Sequence, residues 1–334
     1  MPDLAHLWSL SPWLLLILAA EFVNGWTDAP NAIATVVSTR VMRPHHAVLM
    51  AAVLNLAGTF AGTAVAATIG KGIIDPALVD IQTVGAAMMG IVVWSTIAWY
   101  YGLPTSESHG LVAGLAGAGL ATAGPDALLW DGWKKVLIGI FYSSFLGFFI
   151  GLFFMVLIIW VCRRWTPAKV KTVFSRLQIG SAAFMAFGHG SNDGQKFMGV
   201  FTLALMLGGA IPKAPGDSFP IPLWVIVLCA VTMAIGTASG GWRIIKTMGL
   251  RLTKLEPIHG FAAETAAGLT IMIAGHAGVP LSTTHTISTT IMGVGSTRGL
   301  SAVKWGVAGS IVAAWILTFP ICGLIAYITT KLVR

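Results

Sequence analysis

The stretch Gly102-Leu-Pro104-Thr-Ser106-Glu-Ser-His109 recurs 176 residues later as Gly278-Val-Pro280-Leu-Ser282-Thr-Thr-His285. Both copies have the pattern Gly-x-Pro-x-Ser-x-x-His, and each begins a short apolar segment that is rich in small residues. Proline followed by serine or threonine is typical of a helix start, where hydroxyls cap unpaired backbone N–H groups. The sequence therefore predicts two half-helices or re-entrant segments, one in each half of the chain.

The composition indicates an integral membrane protein. Of 334 residues, 56% are hydrophobic and 10% are Asp, Glu, Lys or Arg, whereas a soluble domain carries about a quarter charged residues. A mean hydropathy of +0.83 is too high for a surface that faces water. This excludes a cytosolic enzyme, a nucleic-acid-binding domain and a secreted module. The basic residues lie mostly between apolar runs, where they indicate membrane topology.

The apolar stretches predict an all-α, polytopic membrane protein of about 10–12 transmembrane helices, since one crossing needs about 20 residues. Two stretches are interrupted by polar clusters, at 24–31 and at 189–196. Irregular backbone at membrane depth is tolerated only inside protein or along a cavity, so we expect broken helices and the functional site there. The stretches are 10–40, 45–69, 82–101, 109–123, 134–161, 178–208, 222–240, 261–277, 285–297 and 305–330.

An internal repeat divides the chain into two similar halves. Asp28 in Gly-Trp-Thr-Asp corresponds to Asp193 in Gly-Ser-Asn-Asp, and Gly58 and Gly236 begin a further pair of matching motifs. An odd number of crossings in each half turns the second half upside down relative to the first. The expected units are a first inverted repeat over 1–161, a basic cytoplasmic linker over 162–177 and a second inverted repeat over 178–334.

The distribution of basic residues supports inverted halves in an inner membrane. With both termini outside the cytoplasm, 13 Lys and Arg residues fall on the cytoplasmic side and six on the other, as the positive-inside rule requires. Inverted repeats whose broken helices meet near the middle of the membrane are typical of a secondary transporter. The six extracytoplasmic residues are Lys71, Lys134, Lys135, Lys213, Lys331 and Arg334.

Asp28 and Asp193 are predicted to form one central cation site. A carboxylate in lipid is costly unless it is paired, solvated or protonated, and the repeat places these two at equivalent depth. Carboxylate, carbonyl and amide oxygens are ligands for a hard cation such as Na⁺, and the same carboxylates could take protons instead. The alternative is a polar kink that only aids helix packing.

The two half-helix starts are predicted to bind a tetrahedral oxyanion. A helix N-terminus carries partial positive charge and unpaired N–H donors, and four hydroxyls add to them. The alternative is that both are simply capped helix starts. Two carboxylates repel an oxyanion unless Na⁺ or H⁺ binds first, so each ligand raises the affinity for the other. The hydroxyls belong to Thr105, Ser106, Ser282 and Thr283.

These motifs resemble those of the PiT family of inorganic phosphate transporters. The family's duplicated Gly-x-Asn-Asp-x-x-Asn-Ala motif is similar to Gly25-Trp-Thr-Asp-Ala-Pro-Asn-Ala32 and, in the second half, to Gly190-Ser-Asn-Asp-Gly-Gln-Lys196. The resemblance covers essentially the whole chain. It implies a helical transporter of inverted repeats that imports phosphate together with Na⁺ or H⁺, uses no cofactor and can form a homodimer.

The resemblance also implies residues for both ligands. The implied phosphate contacts are Asp28, Asn31, Thr105, Ser106, Asn192, Asp193, Ser282 and Thr283. The implied cation ligands are Asn24, Asp28, Asn192, Asp193 and Gln195, with Na⁺ expected at the two aspartates. Glu264, an acidic residue in an apolar run, is a further candidate for the cation site. Asp28→Asn and Asp193→Asn are each expected to remove most transport and to leave folding intact.

Three residues depart from this pattern or oppose it. Thr27 stands where the motif has asparagine. Lys196 stands near the position that corresponds to Asn31, and its ammonium could replace one bound cation or contact the anion, which favours proton coupling over Na⁺. The alternative is that Lys196 snorkels to the membrane interface. Glu107 lies beside the oxyanion donors and hinders an anion unless it is protonated, paired or turned away.

Three other functions are compatible with the sequence. Sulfate is the closest rival substrate, but it lacks the proton that phosphate can donate to a carboxylate. An intramembrane hydrolase would use Ser282 and His285, although their spacing also suits a helix cap and a duplicated nucleophile is unexpected. An anion channel would not couple to a cation. We expect a transporter and not an enzyme, with phosphate, a cation and the lipid bilayer as partners and no nucleic acid.

Overall fold

The computed structural model describes residues 4–212 and 219–334, and within these ranges it contains helices and turns but no strand. The predicted all-α class is confirmed. Lys213, one of the residues assigned above to the extracytoplasmic side, lies outside the described ranges. The N-terminal half contains α1 (Leu4–Ser38), α2 (Pro44–Thr59), α3 (Ala64–Gly72), α4 (Ile81–Tyr101), α5 (Glu107–Ala123), α6 (Trp130–Phe141) and α7 (Gly147–Cys162). The C-terminal half contains α8 (Pro167–Leu207), α9 (Leu223–Ser239), α10 (Trp242–Lys246), α11 (Pro257–His276), α12 (Thr283–Ser296) and α13 (Trp305–Val333).

Five of the described helical segments are long and apolar enough to cross a membrane, or seven if each of two bent helix pairs forms one span. The bent pairs are α2 with α3, at 72°, and α9 with the segment Trp242–Arg251, at 58°. The helices α5 and α12 have 17 and 14 residues, which is short for a crossing. The membrane class and the bent and short helices are thus confirmed, whereas the number of 10–12 crossings stays a prediction.

The backbone is continuous at the two polar clusters, where the sequence predicts breaks. The helix α1 runs through 24–31 and α8 runs through 189–196 without interruption, so this expectation is wrong. The breaks lie between α2 and α3 and between α9 and α10. An α-helix satisfies its own backbone groups in lipid, and Pro30 is accommodated inside α1. Polar side chains therefore reach the protein interior without opening either helix.

The first helix of each half packs against the bent pair of the other half through glycine. A Cβ atom built on Gly25 of α1 lies 2.3 Å from the carbonyl oxygen of Met233 on α9. One built on Gly190 of α8 lies 2.2 Å from the carbonyl oxygen of Asn55 on α2. Both distances are far below van der Waals contact, so only glycine permits this approach. Membrane helices pack closely through such small residues, which here join the two halves.

Two buried apolar clusters enclose a polar layer. On α1, Ile17 belongs to one cluster and Val36 to the other, and Asp28 lies between them. On α8 the order is reversed, since Met185 belongs to the cluster of Val36 and Phe201 to that of Ile17. The central aspartates therefore lie where the two clusters meet, and the apolar residues on both sides separate them from solvent.

Candidate functional site

The starts of α5 and α12 meet through their capping residues. Ser106 caps α5, because its Oγ accepts a hydrogen bond from the backbone N–H of His109 at 3.3 Å. Ser282 caps α12 in the same way and accepts from the N–H of His285 at 3.2 Å. The Oγ of Ser282 donates to the Oγ of Ser106 at 2.8 Å. The structure thus brings together the two helix N-termini that the duplicated motif predicts.

The hydroxyls at the start of α12 also bind both aspartates. Thr284 donates to Oδ1 of Asp28 at 3.1 Å, and Thr283 donates to Oδ2 of Asp193 at 2.8 Å. The Nδ2 of Asn31 donates to the Oγ1 atoms of Thr284 and Thr283, at 3.0 Å and 3.3 Å. None of these five residues is more than 3% exposed. The carboxylates, the amide and the helix start therefore form one network that is closed to solvent.

His189 completes a cluster with the two aspartates. One possible ligand atom each from Asp28, His189 and Asp193 lies within 4.8 Å of the others, and all three residues are buried. The Nε2 of His189 lies 3.3 Å from Oδ2 of Asp193, and its Nδ1 lies 3.2 Å from Oδ1 of Asn55. Two carboxylates this close repel each other in a low-dielectric interior, so the cluster requires positive charge or protons.

Lys196 supplies positive charge from one turn further along α8. The residue is 1% exposed, so it does not snorkel to the interface, and that alternative is wrong. Its ammonium donates to the carboxylate of Asp193, to the hydroxyl of Ser108 and to the backbone oxygen of Leu281. Ser108 lies in the first turn of α5 and Leu281 directly precedes the cap of α12. The lysine therefore binds both helix starts as well as the aspartate.

Glu107 is turned toward α1 and α4. Its Oε1 accepts from the hydroxyl of Thr27 at 2.9 Å, and its Oε2 accepts from the hydroxyl of Ser95 at 2.7 Å. Both carboxylate oxygens are thus engaged by hydroxyls. Thr27, which stands where the family motif has asparagine, therefore pairs with Glu107 and helps to direct its carboxylate toward α1 and α4.

Several buried polar atoms of the predicted site residues have no hydrogen-bond partner within the described part of the chain. They are Oγ1 of Thr105, Oδ1 of Asn31 and both amide atoms of Asn192, and these residues are at most 2% exposed. An unsatisfied buried polar group costs about 1–3 kcal/mol. Hydroxyl and amide groups can donate to the oxygens of an anion and accept its proton, so a protonated oxyanion suits this set of atoms.

Two predicted cation ligands bind elsewhere in the described structure. The Nδ2 of Asn24 donates to Oε2 of Glu21 at 3.0 Å, one turn before Asp28 on α1. The Oε1 of Gln195 accepts from the backbone N–H of Val65 at 3.0 Å, in the first turn of α3. The structure therefore gives Gln195 the role of a helix cap and pairs Asn24 with a buried glutamate, and it joins neither directly to the aspartates.

Glu264 forms a separate buried cluster. Its Oε1 accepts from Thr35 and from Nε2 of Gln178, and its Oε2 accepts from Ser181. Thr35 follows Asp28 by seven residues on α1, which is about 10 Å along a helix axis. The carboxylate, an amide and two hydroxyls are oxygen-rich, as a cation site requires, but they lie apart from the aspartates. Any cation bound there would occupy a second position.

The repeat-related histidines contact each other. The rings of His109 and His285 are 4.3 Å apart and meet edge to face, and His285 also stacks on Trp315 at 3.6 Å. The Nδ1 of His285 lies 2.9 Å from the hydroxyl of Ser144. These contacts join α5, α12, α13 and the turn before α7, so both histidines fix the half-helices in place.

Sequence reasoning missed several members of the site. His189 lies one helical turn before Asp193 in the same polar cluster, so helical periodicity alone points to it. Thr284 lies in an unbroken run of hydroxyl residues at the start of α12, and only the helix geometry shows that it faces Asp28. The backbone oxygen of Leu281 has no signal in the sequence at all. The missed contributors are Ser108, His189, Leu281 and Thr284.

The sequence is similar to those of known transporters. The sequence pattern of the phosphate transporter family matches residues 24–326. A protein of Rhizobium meliloti (strain 1021), named "Probable low-affinity inorganic phosphate transporter", is 45% identical over 314 residues, which cover 94% of this chain and 93% of that protein. A protein of the same name from Bacillus subtilis (strain 168) is 38% identical over 325 residues, which cover 96% of each chain.

The fold also matches a solved structure described as "The sodium-dependent phosphate transporter". The TM-score is 0.86, the match covers 97% of this chain and 98% of the other, and 24% of the residues are identical. A match of this extent at this identity establishes a shared arrangement of helices. It places the bent pairs and the half-helices within a known membrane fold.

Proposed function

Since the chain belongs to the phosphate transporter family, we propose that it imports inorganic phosphate across the inner membrane by symport with a cation. The observation that carries this proposal is the contact between Ser106 and Ser282 beside Asp28 and Asp193. At this place, two helix N-termini offer donors to an anion and two carboxylates offer ligands to a cation.

The phosphate is bound at the two helix starts. Unpaired N–H groups and partial positive charge at a helix N-terminus favour an oxyanion, and two N-termini meet here. The hydroxyl of Thr105, next to the cap of α5, lacks a partner within the described residues, so it is available to a phosphate oxygen. Asn192, whose amide also lacks a partner and which precedes Asp193 in the chain, is proposed as a further contact. Ser106 and Ser282 reach the same ligand if it displaces the hydrogen bond between them, and Thr283 reaches it if it displaces the hydrogen bond to Asp193.

The cation couples to phosphate through charge. Asp28 and Asp193 are at most 3% exposed and would repel an anion next to them. A cation at the carboxylates removes this repulsion, and the bound anion in turn stabilises the cation. Reciprocal stabilisation of this kind is thermodynamic coupling between two sites, and it makes joint movement of both ligands favourable.

The coupling cation is Na⁺ or H⁺, and both suit the residues. Carboxylate, hydroxyl and amide oxygens bind hard cations, and buried carboxylates also accept protons. The structural relative described as sodium-dependent supports Na⁺ as the coupling ion, and the central aspartates are its proposed ligands. Glu264, with its hydroxyl and amide partners, is proposed as a second cation position. Of the predicted ligands, Asn24 donates to Glu21 and Gln195 caps α3.

Alternating access requires that the closed network open to each side in turn. The proposed units are the first repeat over 1–161 and the second over 178–334, in opposite orientations and joined by the cytoplasmic linker 162–177. With both termini outside the cytoplasm, the excess of basic residues faces inward. The half-helices then enter from opposite sides, and rocking of one half against the other exposes the same site alternately. The homodimer stays a prediction.

The contacts of Ser282 oppose a hydrolase. Its hydroxyl donates to Ser106 and accepts from the backbone of His285, while the ring of His285 contacts Ser144. A nucleophilic serine needs a hydrogen bond to its base, and within the described residues Ser282 has no such bond to a histidine ring. Sulfate is disfavoured because the site offers acceptors for a phosphate proton.

Uptake of labelled phosphate into proteoliposomes tests the proposal. An inward gradient of Na⁺ or of H⁺, each imposed separately, should drive phosphate above its external concentration. Excess arsenate should compete, since it is also a protonated tetrahedral anion, and sulfate should not. Liposomes that contain the Asp28→Asn protein at equal density are the matched control.

Each negative outcome removes a different part of the proposal. If phosphate enters only until its concentrations inside and outside are equal, whichever ion gradient is imposed, the protein is a channel. Accumulation that sulfate abolishes as well as arsenate does would identify a sulfate permease. Wild-type uptake by the Asp28→Asn protein would show that the cation site lies elsewhere.

A further inference from the structure

Lys196 has a set of partners that is typical of a bound cation. Its three partners are a carboxylate, a hydroxyl and a backbone carbonyl, from Asp193, Ser108 and Leu281. The carboxylate and the carbonyl can only accept hydrogen bonds. Ser108 donates its own proton to the oxygen of Leu281 at 3.0 Å, so its oxygen accepts too. Three acceptors require three N–H donors, which is the charged ammonium.

All donors of this ammonium are used inside the protein. An ammonium has three N–H groups and no acceptor, and each of the three has an oxygen partner. No donor is left to bind an anion directly. Lys196 therefore differs from a lysine that binds phosphate, which directs its donors at the ligand. The hydrogen bonds place its charge on Asp193.

The repeat shows what stands at this position in the other half. Lys196 follows Asp193 by three residues, as Asn31 follows Asp28. Asn31 is neutral and donates to the hydroxyls of Thr283 and Thr284. Within the described residues, the salt-bridge partners of the central aspartates are Lys196 and His189, both at Asp193. Asp28 therefore forms no salt bridge within the described part of the chain, although His189 lies within the same cluster, whereas Asp193 has an internal ion pair.

We propose that Lys196 is a tethered cation that permanently fills one of two cation positions, so that this chain exchanges a cation at Asp28 but not at Asp193. The inference rests on the proposed function, because it concerns the cation of that same site. Oxygen ligands of the kinds that surround the ammonium also bind hard ions such as Na⁺. The charge that balances phosphate is then partly built into the protein, and one exchangeable cation fewer is needed at the aspartates.

Lys196→Asn tests this by restoring the residue of the first half. The shorter side chain leaves the position of the ammonium open and adds an amide oxygen to the three acceptors, so Na⁺ should now bind there. Lys196→Met is the matched control, since a side chain of similar length fills the position with a methyl group. Choline chloride replaces NaCl at equal ionic strength, so that screening is held constant.

The first readout is the thermal unfolding temperature of purified protein, which requires no transport. A ligand that binds only the folded state stabilises it in proportion to the logarithm of its concentration. When Na⁺ is raised from about 1 to about 300 mM, the unfolding temperature of Lys196→Asn should rise by at least about 3 °C more than that of wild type. Lys196→Met should gain no more than wild type.

The second readout is the Na⁺ dependence of phosphate uptake. Lys196→Asn should require Na⁺ more steeply than wild type, with a Hill coefficient that rises by about one. Equal Na⁺ responses of folded Lys196→Asn and wild type would overturn the inference, and so would an equal gain in Lys196→Met. If wild-type liposomes take up no phosphate, the proposed function fails, whereas the unfolding experiment still decides the role of Lys196.

A fallback covers the case in which neither lysine variant folds. Glu264→Gln removes the other proposed cation position and leaves the ion pair of Lys196 and Asp193 untouched. The inference then expects Na⁺ to stabilise Glu264→Gln as a single site at most. A titration of this variant that needs two Na⁺ sites would overturn it.

Discussion

The two halves of the molecule share the hydroxyl contact at each aspartate and the serine cap of each half-helix but differ in the charge next to the aspartates. Both aspartates accept a hydrogen bond from a hydroxyl at the start of α12, and both half-helices are capped by serine. Three residues further along, however, the first half has the amide of Asn31 and the second half the ammonium of Lys196. Symmetry of the backbone therefore does not impose symmetry of charge. One carboxylate is neutralised within the protein, and the other depends on what binds.

The largest expected effect comes from removing each carboxylate in turn. Asp193→Asn leaves the ammonium of Lys196 buried without a counter-ion, and breaking a buried pair in this way costs about 3–5 kcal/mol. Asp28→Asn breaks no salt bridge to a basic residue, and its amide oxygen can still accept from Thr284, so the cost is about 1 kcal/mol or less. Both should remove most phosphate uptake. The sequence alone expects both variants to fold equally well.

Thermal unfolding with a thiol-reactive fluorophore measures this difference. Three native buried cysteines become reactive on unfolding, so no further cysteine need be introduced. The control is the double variant Asp193→Asn with Lys196→Met, which removes both charges and should recover most of the lost stability. An equal fall in unfolding temperature for Asp28→Asn and Asp193→Asn would contradict the asymmetry. The cysteines are Cys162, Cys229 and Cys322.

The sequence predicts the half-helices of the two repeats better than it predicts the contacts between the helices. The duplicated motif around Ser106 and Ser282 predicts the two half-helices, because capping chemistry is local. The continuity of α1 through its polar cluster is not predictable in this way, since a helix can carry polar side chains inward as long as other helices surround it. The pairing of Glu107 with Thr27 depends on a separation of 80 residues, and only the packed fold reveals it.

The second test concerns the close packing that the two halves share. Gly25→Ala and Gly190→Ala each place a methyl group within 2.3 Å of a backbone oxygen on the facing helix. Backbone cannot move aside as a flexible side chain can, so each variant should lose about 1–3 kcal/mol. The losses should be similar, because these glycines are repeat-related and make equivalent contacts. The unfolding temperature of the purified proteins measures this.

Gly180→Ala is the matched control on α8. A Cβ atom at Gly180 meets nothing within 4 Å, and alanine favours a helix by up to about 1 kcal/mol over glycine. This variant should therefore be as stable as wild type or slightly more stable. A Gly190→Ala protein as stable as Gly180→Ala would show that the bent pair and α8 can separate without cost, and the shared packing would then be no constraint on either half.

The smallest expected effect concerns two hydroxyls that hold the loops before the half-helices. Thr247 donates to the carbonyl oxygen of Gly102 at 2.7 Å, and Thr68 donates to that of Gly278 at 2.9 Å. Both glycines have positive φ, of 69° and 67°, where the chain turns away from the preceding helix. The two contacts are related by the repeat, but Thr247 is buried and Thr68 is half-buried.

Thr247→Val should cost about 1 kcal/mol and Thr68→Val less, because a hydrogen bond lost in the interior leaves a carbonyl that water cannot reach. Serine at either position keeps the hydroxyl and loses only a methyl group, so Thr247→Ser and Thr68→Ser are the controls. The unfolding temperatures of the four variants show whether the stability lost at each threonine follows its burial or is the same at the two repeat-related positions. If Thr68→Val lost as much stability as Thr247→Val, the loops before the two half-helices would be equally shielded, and burial would not distinguish the two halves at these loops.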